Sequence, residues 1–350
     1  MIFTSIDKRN NMNAVRYYLC LCILMNHYNI LTELNLPSLP RIFGGVGSFF
    51  AITGFLMFAS YERHCNIKGY FKRRVKRILP PYVFVVIFSA LALSLVSTMP
   101  IEEYFADAGF YRYLVANLIF LNYLEPSLPG VFDNGGVMNV VNASLWTMKV
   151  EVLCYILVPI VYRVLNKYSC YKTFILIALI SVNLACYLIF ILYSDGNTAG
   201  SAYILSKQFR LLTFFFIGAL INVYLEVLRQ CKWIILSIVL IILYVSNYNE
   251  LMHILVRPFT DSVLVIWFSM IGTWGVFLSR YNSLSYDIYL FHFPIIQTLL
   301  SLEIIDSVGA WNGLFLTVIM SFAFASLSWN LIGKPVLNDK KIFTFQLKGG

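Results

Sequence analysis

Long apolar stretches separated by short polar ones run along the whole chain. A helix needs about 20 predominantly apolar residues to cross a bilayer, and about ten stretches approach that length. They are residues 12–31, 43–60, 78–99, 145–162, 173–193, 203–225, 233–247, 260–278, 286–302 and 312–332. A shorter run at 112–124 suits either an additional span or a segment that lies in or dips into the membrane. The pattern predicts an all-α polytopic membrane protein with about ten transmembrane helices.

The placement of lysine and arginine predicts the orientation of these spans, because cytoplasmic loops carry an excess of both residues. With ten spans and a cytoplasmic N-terminus, most of the 26 lysines and arginines lie in cytoplasmic segments. The outer loops then hold only Arg41, Arg112 and Arg257. A further span at 112–124 would put the basic stretch 163–172 outside. The bias predicts cytoplasmic N- and C-termini, a basic cytoplasmic loop at 61–79 and a long outer segment at 100–144.

Composition supports the same class of protein. The chain is 59% hydrophobic and 12% charged, whereas a soluble domain is about 25% charged. No region outside the spans is large enough for a separate soluble domain, so residues 1–350 are predicted to form a single integral membrane domain. The net charge of +9 follows from the orientation of the spans and gives no reason to expect nucleic-acid binding. The seven cysteines lie mostly in or beside apolar stretches, where they behave as small hydrophobic residues.

The first span carries two ionisable residues, Arg16 and His27. Eleven residues make about three helical turns, so both side chains are predicted to lie on one stripe, about 16 Å apart along the axis. Ionisable groups inside a membrane are rare and usually line a functional cavity. The stripe therefore predicts a polar path along this helix, with Arg16 near the cytoplasmic face and His27 deeper.

The basic loop ends in the run K-R-R-V-K-R, which includes Arg73. Arg74 and Arg77 are three apart, so on a helix they share a face where their forked donors suit a polyphosphate. Pro80 and Pro81 follow and suit the first turn of the next span. Anchoring of lipid headgroups explains this loop equally well when it is taken alone.

Small residues crowd the second predicted span, at Gly44, Gly47, Ser48 and Gly54. Small side chains allow transmembrane helices to approach closely. These positions therefore predict packing of the second span against the first.

The fourth span carries Glu151, and Tyr155 lies one turn further on the same face. A carboxylate inside a membrane needs a partner. Arg210 and Lys207 in the sixth span are candidates for an ion pair. A histidine is the other candidate, since an imidazole oriented by a carboxylate is a competent general base.

The ninth span contains S-Y-D-I-Y-L-F-H-F-P, in which Tyr289 lies one turn before His292. Pro294 has no N–H to donate to the carbonyl of Leu290, which weakens the helix there. Taken alone, the sequence around His292 slightly favours a hydrogen-bonded core histidine in a kinked helix over a functional group.

Together these segments resemble the membrane acyltransferase-3 family, which includes O-antigen and exopolysaccharide O-acetyltransferases. The spacing of Arg16 and His27 is similar to the family's opening signature, and F-F-A-I-T-G-F-L resembles its F-F-x-x-S-G segment. R-R-V-K-R-I-L-P-P resembles the basic R-x-x-R motif, and S-L-W-T-M-K-V-E resembles L-W-S-L-x-x-E. S-Y-D-I-Y-L-F-H-F-P is similar to S-Y-x-x-Y-L-x-H-x-P. The matches occur in the family's order, whereas Gly333 stands where many members carry an acidic residue.

The resemblance implies transfer of an acyl group, usually acetyl, from cytoplasmic acetyl-CoA to a sugar hydroxyl. His27 would be the central catalytic residue, as a base or as a transient acyl carrier, and Glu151 would orient the site or balance its charge. The cofactor-binding candidates are Arg16, Arg73, Arg74 and Arg77. The candidates for substrate contact or for support of the site are Tyr155, Arg210, Tyr289 and His292. No metal is expected.

The implied acceptor is a surface polysaccharide (O-antigen, capsule or exopolysaccharide) or its lipid-linked precursor. The implied location is the bacterial cytoplasmic (inner) membrane, where membrane lipids surround the protein. A transporter or flippase of a glycan or acidic substrate is the main alternative, but the repeats and paired broken spans typical of transporters are not evident. A binding or assembly subunit with an inactive site is less favoured, because the residues needed for catalysis are present.

Overall fold

The computed structural model describes residues 2–4, 6, 9–37, 39, 43–63, 65–133, 138–197, 200–280 and 284–338, and these residues form helices and connecting segments without a β-strand. Ten helices have 15 or more residues within this part of the chain. They are α1 (Met12–Thr32), α2 (Gly45–Glu62), α3 (Ile67–Ala92), α6 (Met148–Lys167), α7 (Lys172–Tyr193), α8 (Ser201–Val223), α10 (Lys232–Ser246), α11 (Glu250–Met270), α12 (Ser285–Ser301) and α14 (Ala310–Ser328). The shorter helices are α4 (Ile101–Ala106), α5 (Ala108–Leu118), α9 (Leu225–Gln230), α13 (Ile304–Val308) and α15 (Lys334–Asn338).

Among the described residues, five helical segments are long and apolar enough to cross a membrane. They are Ile67–Leu95, Ser169–Tyr193, Ser201–Val223, Glu250–Met270 and Ala310–Asn338. The prediction of an all-α membrane protein is confirmed at this level. Ten spans and cytoplasmic termini stay predictions. Arg41 and residues 339–350 lie outside the described residues.

The predicted limits of the basic loop are wrong, whereas the choice left open at 112–124 is decided in favour of a shorter segment. Helix α3 begins at Ile67, so most of the predicted basic loop is the first part of a 26-residue helix that also contains Pro80 and Pro81. The run at 112–124 is not a full span, since α5 has 11 residues. At 1.5 Å per residue, α5 is about 16 Å long, roughly half of a hydrocarbon core of about 30 Å.

The predicted limits of the eighth span, 260–278, are also wrong. Helix α11 begins ten residues earlier, at Glu250, and ends at Met270. It therefore includes Arg257, which was expected in an outer loop. The guanidinium Nε of Arg257 lies 3.4 Å from the carboxylate of Asp261, one turn further along. Because each charge has a partner on the same helix, α11 tolerates Arg257 at a position where hydropathy alone predicts a loop.

The chain forms two compact units. Unit 1 comprises Met1–Ile23, Ser38–Tyr70 and Thr147–Ser283, and unit 2 comprises Leu24–Pro37, Phe71–Trp146 and Leu284–Gly350. Helices α1 and α3 contribute residues to both units.

In unit 1, α2 packs against α8 with the two backbones in contact. A Cβ atom on Gly54 would lie 1.8 Å from the carbonyl oxygen of Phe215, and one on Gly218 would lie 2.0 Å from that of Ala51. Only glycine at both positions permits this approach. The prediction that the small residues of α2 pack against α1 is therefore wrong for Gly54, whose partner is α8.

In unit 2, the described residues of the segment 100–144, which the sequence predicts to lie outside and which we call the outer segment, fold onto α3 and α12. The hydroxyl of Tyr82 donates to the carbonyl of Asn117 (2.6 Å), and that of Tyr104 donates to the carbonyl of Ala90 (2.7 Å). Arg112 pairs with Glu125 at 3.1 Å on the surface. Helices α12 and α14 pack along each other and complete this unit.

Candidate active site

Two histidines meet in unit 2. His27 comes from the end of α1 and His292 from the middle of α12, and the Nδ1 atom of His27 lies 2.8 Å from the Nε2 atom of His292. The two rings are nearly parallel, with an interplanar angle of 2° and centroids 5.1 Å apart. His292 is fully buried, whereas His27 is half-buried. The edge of Phe293 packs against His27, with ring centroids 5.3 Å apart. We call His27 and His292 the histidine pair.

The hydrogen-bond partners of the histidine pair indicate which nitrogen of each neutral ring carries the proton. The Nδ1 atom of His292 lies 3.2 Å from the carbonyl oxygen of Ile288, which can only accept, so this Nδ1 carries a proton. In a neutral His292, Nε2 is then an acceptor and takes the N–H of His27 Nδ1. The remaining nitrogen of His27, Nε2, therefore holds a lone pair. This is the arrangement that a general base or nucleophile requires.

The weak point that Pro294 creates in α12 is repaired by a side chain from the outer segment. The carbonyl of Leu290 loses its usual helical donor because residue 294 is proline. The side-chain amide of Asn142 donates to this carbonyl instead, at 2.7 Å, in a buried position. The sequence shows that the carbonyl of Leu290 lacks its helical donor, but it does not show which residue replaces that donor.

Further contacts hold the end of the outer segment along α12. The hydroxyl of Tyr289 donates to the carbonyl of Ser144 (2.9 Å), and the hydroxyl of Ser144 lies 3.4 Å from Nε2 of His292. The amide of Gln297 donates to the carbonyls of Met138 (2.7 Å) and Val140 (3.1 Å). Residues 138–144 are therefore fixed beside the histidine pair. Sequence analysis did not single out the three polar residues Asn142, Ser144 and Gln297.

The three predicted phosphate-binding arginines lie on α3. Arg73 is exposed, and Arg74 and Arg77 are half-buried. The guanidinium of Arg77 lies over the ring of Trp329, 5.4 Å from its centroid. The three cations are thus presented by a helix and not by a loop.

The remaining candidates lie in unit 1. Arg16 is half-buried on α1, and Glu151 on α6 accepts a hydrogen bond from the hydroxyl of Tyr155, one turn away. Arg210 is exposed and lies 5.9 Å from the ring centroids of both Tyr187 and Phe214. The buried Asp261, which sequence analysis missed, pairs with Arg257 in the same unit. The contacts therefore bring Glu151 and Tyr155 together here, and His27, Tyr289 and His292 together in unit 2.

Unit 2 also contains a partly open apolar cavity of about 270 Å³ among α3, α12 and α14. Its wall includes Phe88, Phe291 and Phe324, whose ring centroids lie 5.4 to 6.2 Å apart. Pro294 and Ile295 extend the same wall, so the cavity shares α12 with His292. A lining of this kind suits hydrocarbon and not sugar.

Comparison with known proteins identifies the family of this chain. The family model described as an acyltransferase domain matches residues 9–330, which is nearly the whole chain. The chain belongs to this acyltransferase family. It is similar to a protein described as an O-acetyl transferase from Shigella phage Sf6, with 24% identity over 94% of this chain and 96% of the relative. It is also similar to Nodulation protein 10 of Rhizobium leguminosarum bv. viciae, with 22% identity over 94% of this chain and 93% of the relative. No solved structure matches.

The comparisons confirm the family that the five motifs predicted, and they show that the protein is an enzyme, an O-acyltransferase. They do not favour the alternative of a transporter or flippase. The long apolar helices of this acyltransferase make it an integral membrane protein.

Proposed function

We propose that this acyltransferase moves an acetyl group from cytoplasmic acetyl-CoA to a sugar hydroxyl of a surface polysaccharide or of its lipid-linked precursor. It would act in the bacterial cytoplasmic (inner) membrane. The observation that carries the proposal is the 2.8 Å contact between His27 Nδ1 and His292 Nε2 in a chain of this family. The similarity to a protein described as an O-acetyl transferase supports acetyl as the group and oxygen as the acceptor atom.

The chemistry needs a base for the acceptor hydroxyl. In the proposed step the Nε2 lone pair of His27 takes the hydroxyl proton while the sugar oxygen attacks the thioester carbonyl. The C–S bond then breaks, and the thiolate of CoA takes the proton back from His27. Hydrogen bonding of His27 Nδ1 to His292 steadies the imidazolium that forms between these events. The same lone pair serves for transient acylation, in which case acetyl would be recoverable on His27.

The proposed donor and acceptor each have a feature that supports them. The basic face of α3, with Arg73, Arg74 and Arg77, suits the phosphates of CoA, because forked guanidinium donors bind phosphate in a bidentate way. The apolar cavity of unit 2 shares α12 with His292 and suits a hydrocarbon chain. It therefore favours a lipid-linked acceptor over a free polysaccharide. The roles of Arg16 in the donor path and of Glu151 in balancing charge are further parts of the proposal.

The test is replacement of His27 with alanine in a host that makes the acceptor glycan. We expect O-acetyl resonances to disappear from the NMR spectrum of the purified glycan. His253→Ala is the matched control, because it removes a histidine that has no part in the proposed step. Normal acetylation by the His27→Ala variant at normal protein level would overturn the proposal. Radiolabelled acetyl-CoA that leaves no label on an acceptor in wild-type membranes would also contradict it.

A further inference from the structure

A second cluster of functional groups lies in unit 2, where α3, the start of α12 and the end of α14 meet. Asp287 is in the first turn of α12 and is only 2% exposed. The buried hydroxyl of Ser328 donates to its carboxylate at 2.7 Å. The hydroxyl of Tyr286 donates to the carbonyl of Ile78 at 3.2 Å, which ties α12 to α3 next to Arg77. The family motifs gave no role to Asp287 or Ser328.

Arg77 is the cation that belongs to this cluster. Ile78 directly follows Arg77 and Tyr286 directly precedes Asp287, so the hydrogen bond between Tyr286 and Ile78 places the cation and the carboxylate in one region. The guanidinium of Arg77 lies over the ring of Trp329, 5.4 Å from the centroid. A carboxylate buried this deeply requires an opposite charge and hydrogen bonds. An indole face attracts a cation by its quadrupole. Trp329 thus contacts the guanidinium of Arg77, and Asp287 supplies a carboxylate in the same cluster.

The position of Trp329 depends in turn on a glycine. Residues Trp329–Gly333 form a π-helical turn after α14, and such turns are frequent at functional sites. A Cβ atom on Gly333 would lie 2.8 Å from Cε3 of Trp329. The indole is rigid, so any side chain at position 333 would displace it. Gly333 therefore leaves the space in which Trp329 lies against Arg77.

We infer that Asp287, Ser328 and Trp329 are positioning residues that hold the guanidinium of Arg77 towards the phosphates of the acyl donor. This inference rests on the proposed function, because it assumes that the donor is acetyl-CoA. Arginine has five N–H donors in a fixed fork, a geometry that matches the oxygens of a phosphate. A guanidinium already held in place loses less side-chain entropy when the donor binds. Loss of a positioning residue is therefore expected to weaken donor binding without removing the base.

The test compares two donors with purified protein. Acetyl-CoA and acetyl-pantetheine carry the same thioester, but only acetyl-CoA carries phosphates. For Asp287→Asn we expect the KM for acetyl-CoA to rise about tenfold, with kcat and the KM for acetyl-pantetheine little changed. Asp306→Asn is the control, because it removes an exposed carboxylate beyond the other end of α12. Arg77→Ala removes the guanidinium itself and is the reference for complete loss. It should likewise raise the KM for acetyl-CoA and leave that for acetyl-pantetheine little changed.

Gly333→Ala and Trp329→Leu keep the inference testable if Asp287→Asn does not fold. Each should raise the KM for acetyl-CoA selectively, whereas Trp329→Phe, which keeps an aromatic face, should have a smaller effect. Equal changes for both donors would show a general structural role and would overturn the inference. Wild-type kinetics in the folded variants would overturn it as well. Neither result would affect the proposed function, which fails only if the wild-type protein transfers no acetyl from acetyl-CoA.

Discussion

Replacing Asn142 with alanine is expected to destabilise unit 2, because the amide of Asn142 supplies the hydrogen bond that Pro294 withholds from the carbonyl of Leu290. The donor lies 2.7 Å from this carbonyl in a buried position. A buried acceptor that loses its donor costs about 1–3 kcal/mol. Asn142 also accepts from the N–H of Ser144 at 3.1 Å, so the loss of free energy of unfolding should lie in the upper part of that range.

A double-mutant cycle separates the contact with Leu290 from the other effects of the substitution. Pro294→Ala restores an N–H that donates to the Leu290 carbonyl in an ordinary helical turn. In that background the carbonyl keeps a donor when Asn142 is replaced. We therefore expect Asn142→Ala to cost at least about 1 kcal/mol less in the Pro294→Ala protein than in the wild-type protein. The part of the cost that comes from the N–H of Ser144 is the same in both backgrounds and cancels.

The free energy of unfolding would be measured by titrating a denaturing detergent into micelles that contain each of the four proteins. Asn312→Ala is a suitable control, because the amide of Asn312 donates to the carbonyl of Val308 at an exposed site of the same unit. It should change stability by a few tenths of a kcal/mol at most. If Asn142→Ala lowers the free energy of unfolding equally in the two backgrounds, the Asn142 amide does not replace the donor that Pro294 lacks.

Two further predictions follow from the contacts of the two units. His292→Leu removes the acceptor for His27 Nδ1 and should lower kcat about tenfold, which corresponds to one buried hydrogen bond of about 1.4 kcal/mol. His292→Gln, which keeps an acceptor oxygen, should lose less; equal kcat values for the two variants in an acetyl-transfer assay would contradict the role of this contact. Gly54→Ala should lower the free energy of unfolding by about 1–3 kcal/mol, because its Cβ meets the backbone of Phe215. Gly45→Ala, whose Cβ meets only the side chain of Ile23 at 3.2 Å, should be far milder when both are followed by thermal aggregation in detergent.

Hydropathy predicts the helices of this chain well and their ends poorly. Each of the ten predicted spans overlaps one of the ten long helices in the described part of the chain, since backbone groups in a membrane must be satisfied within the helix itself. The ends were misplaced where charged residues continue a helix. In α11, Arg257 and Asp261 neutralise each other at 3.4 Å, so the helix tolerates them. In α3, exposed cations such as Arg73 occupy the first turns, and nothing in an apolarity count detects that extension.

The site shows a different limit of sequence reasoning. Arg16 and His27 were singled out because ionisable residues are costly in a membrane, and that argument needs no knowledge of neighbours. The same argument does not give the partner of His27, since His292 is 265 positions away along the chain and its sequence context slightly favours a core histidine. Orientation of a histidine was one of the roles open to Glu151, and that role stays a prediction. Within unit 2, His27 contacts another imidazole.

Pro294 links the structure of α12 at the histidine pair to the position of the outer segment. A proline in a membrane helix leaves one carbonyl without its donor, and in lipid that group must find another. Here the replacement comes from Asn142, so the weak point of α12 also anchors the end of the outer segment beside the histidine pair. Tyr289 and Ser144 add contacts within the same few residues. The geometry of the base and the placement of the outer segment therefore depend on one another, and a change at Asn142 that spares both histidines should still disturb the orientation of His292.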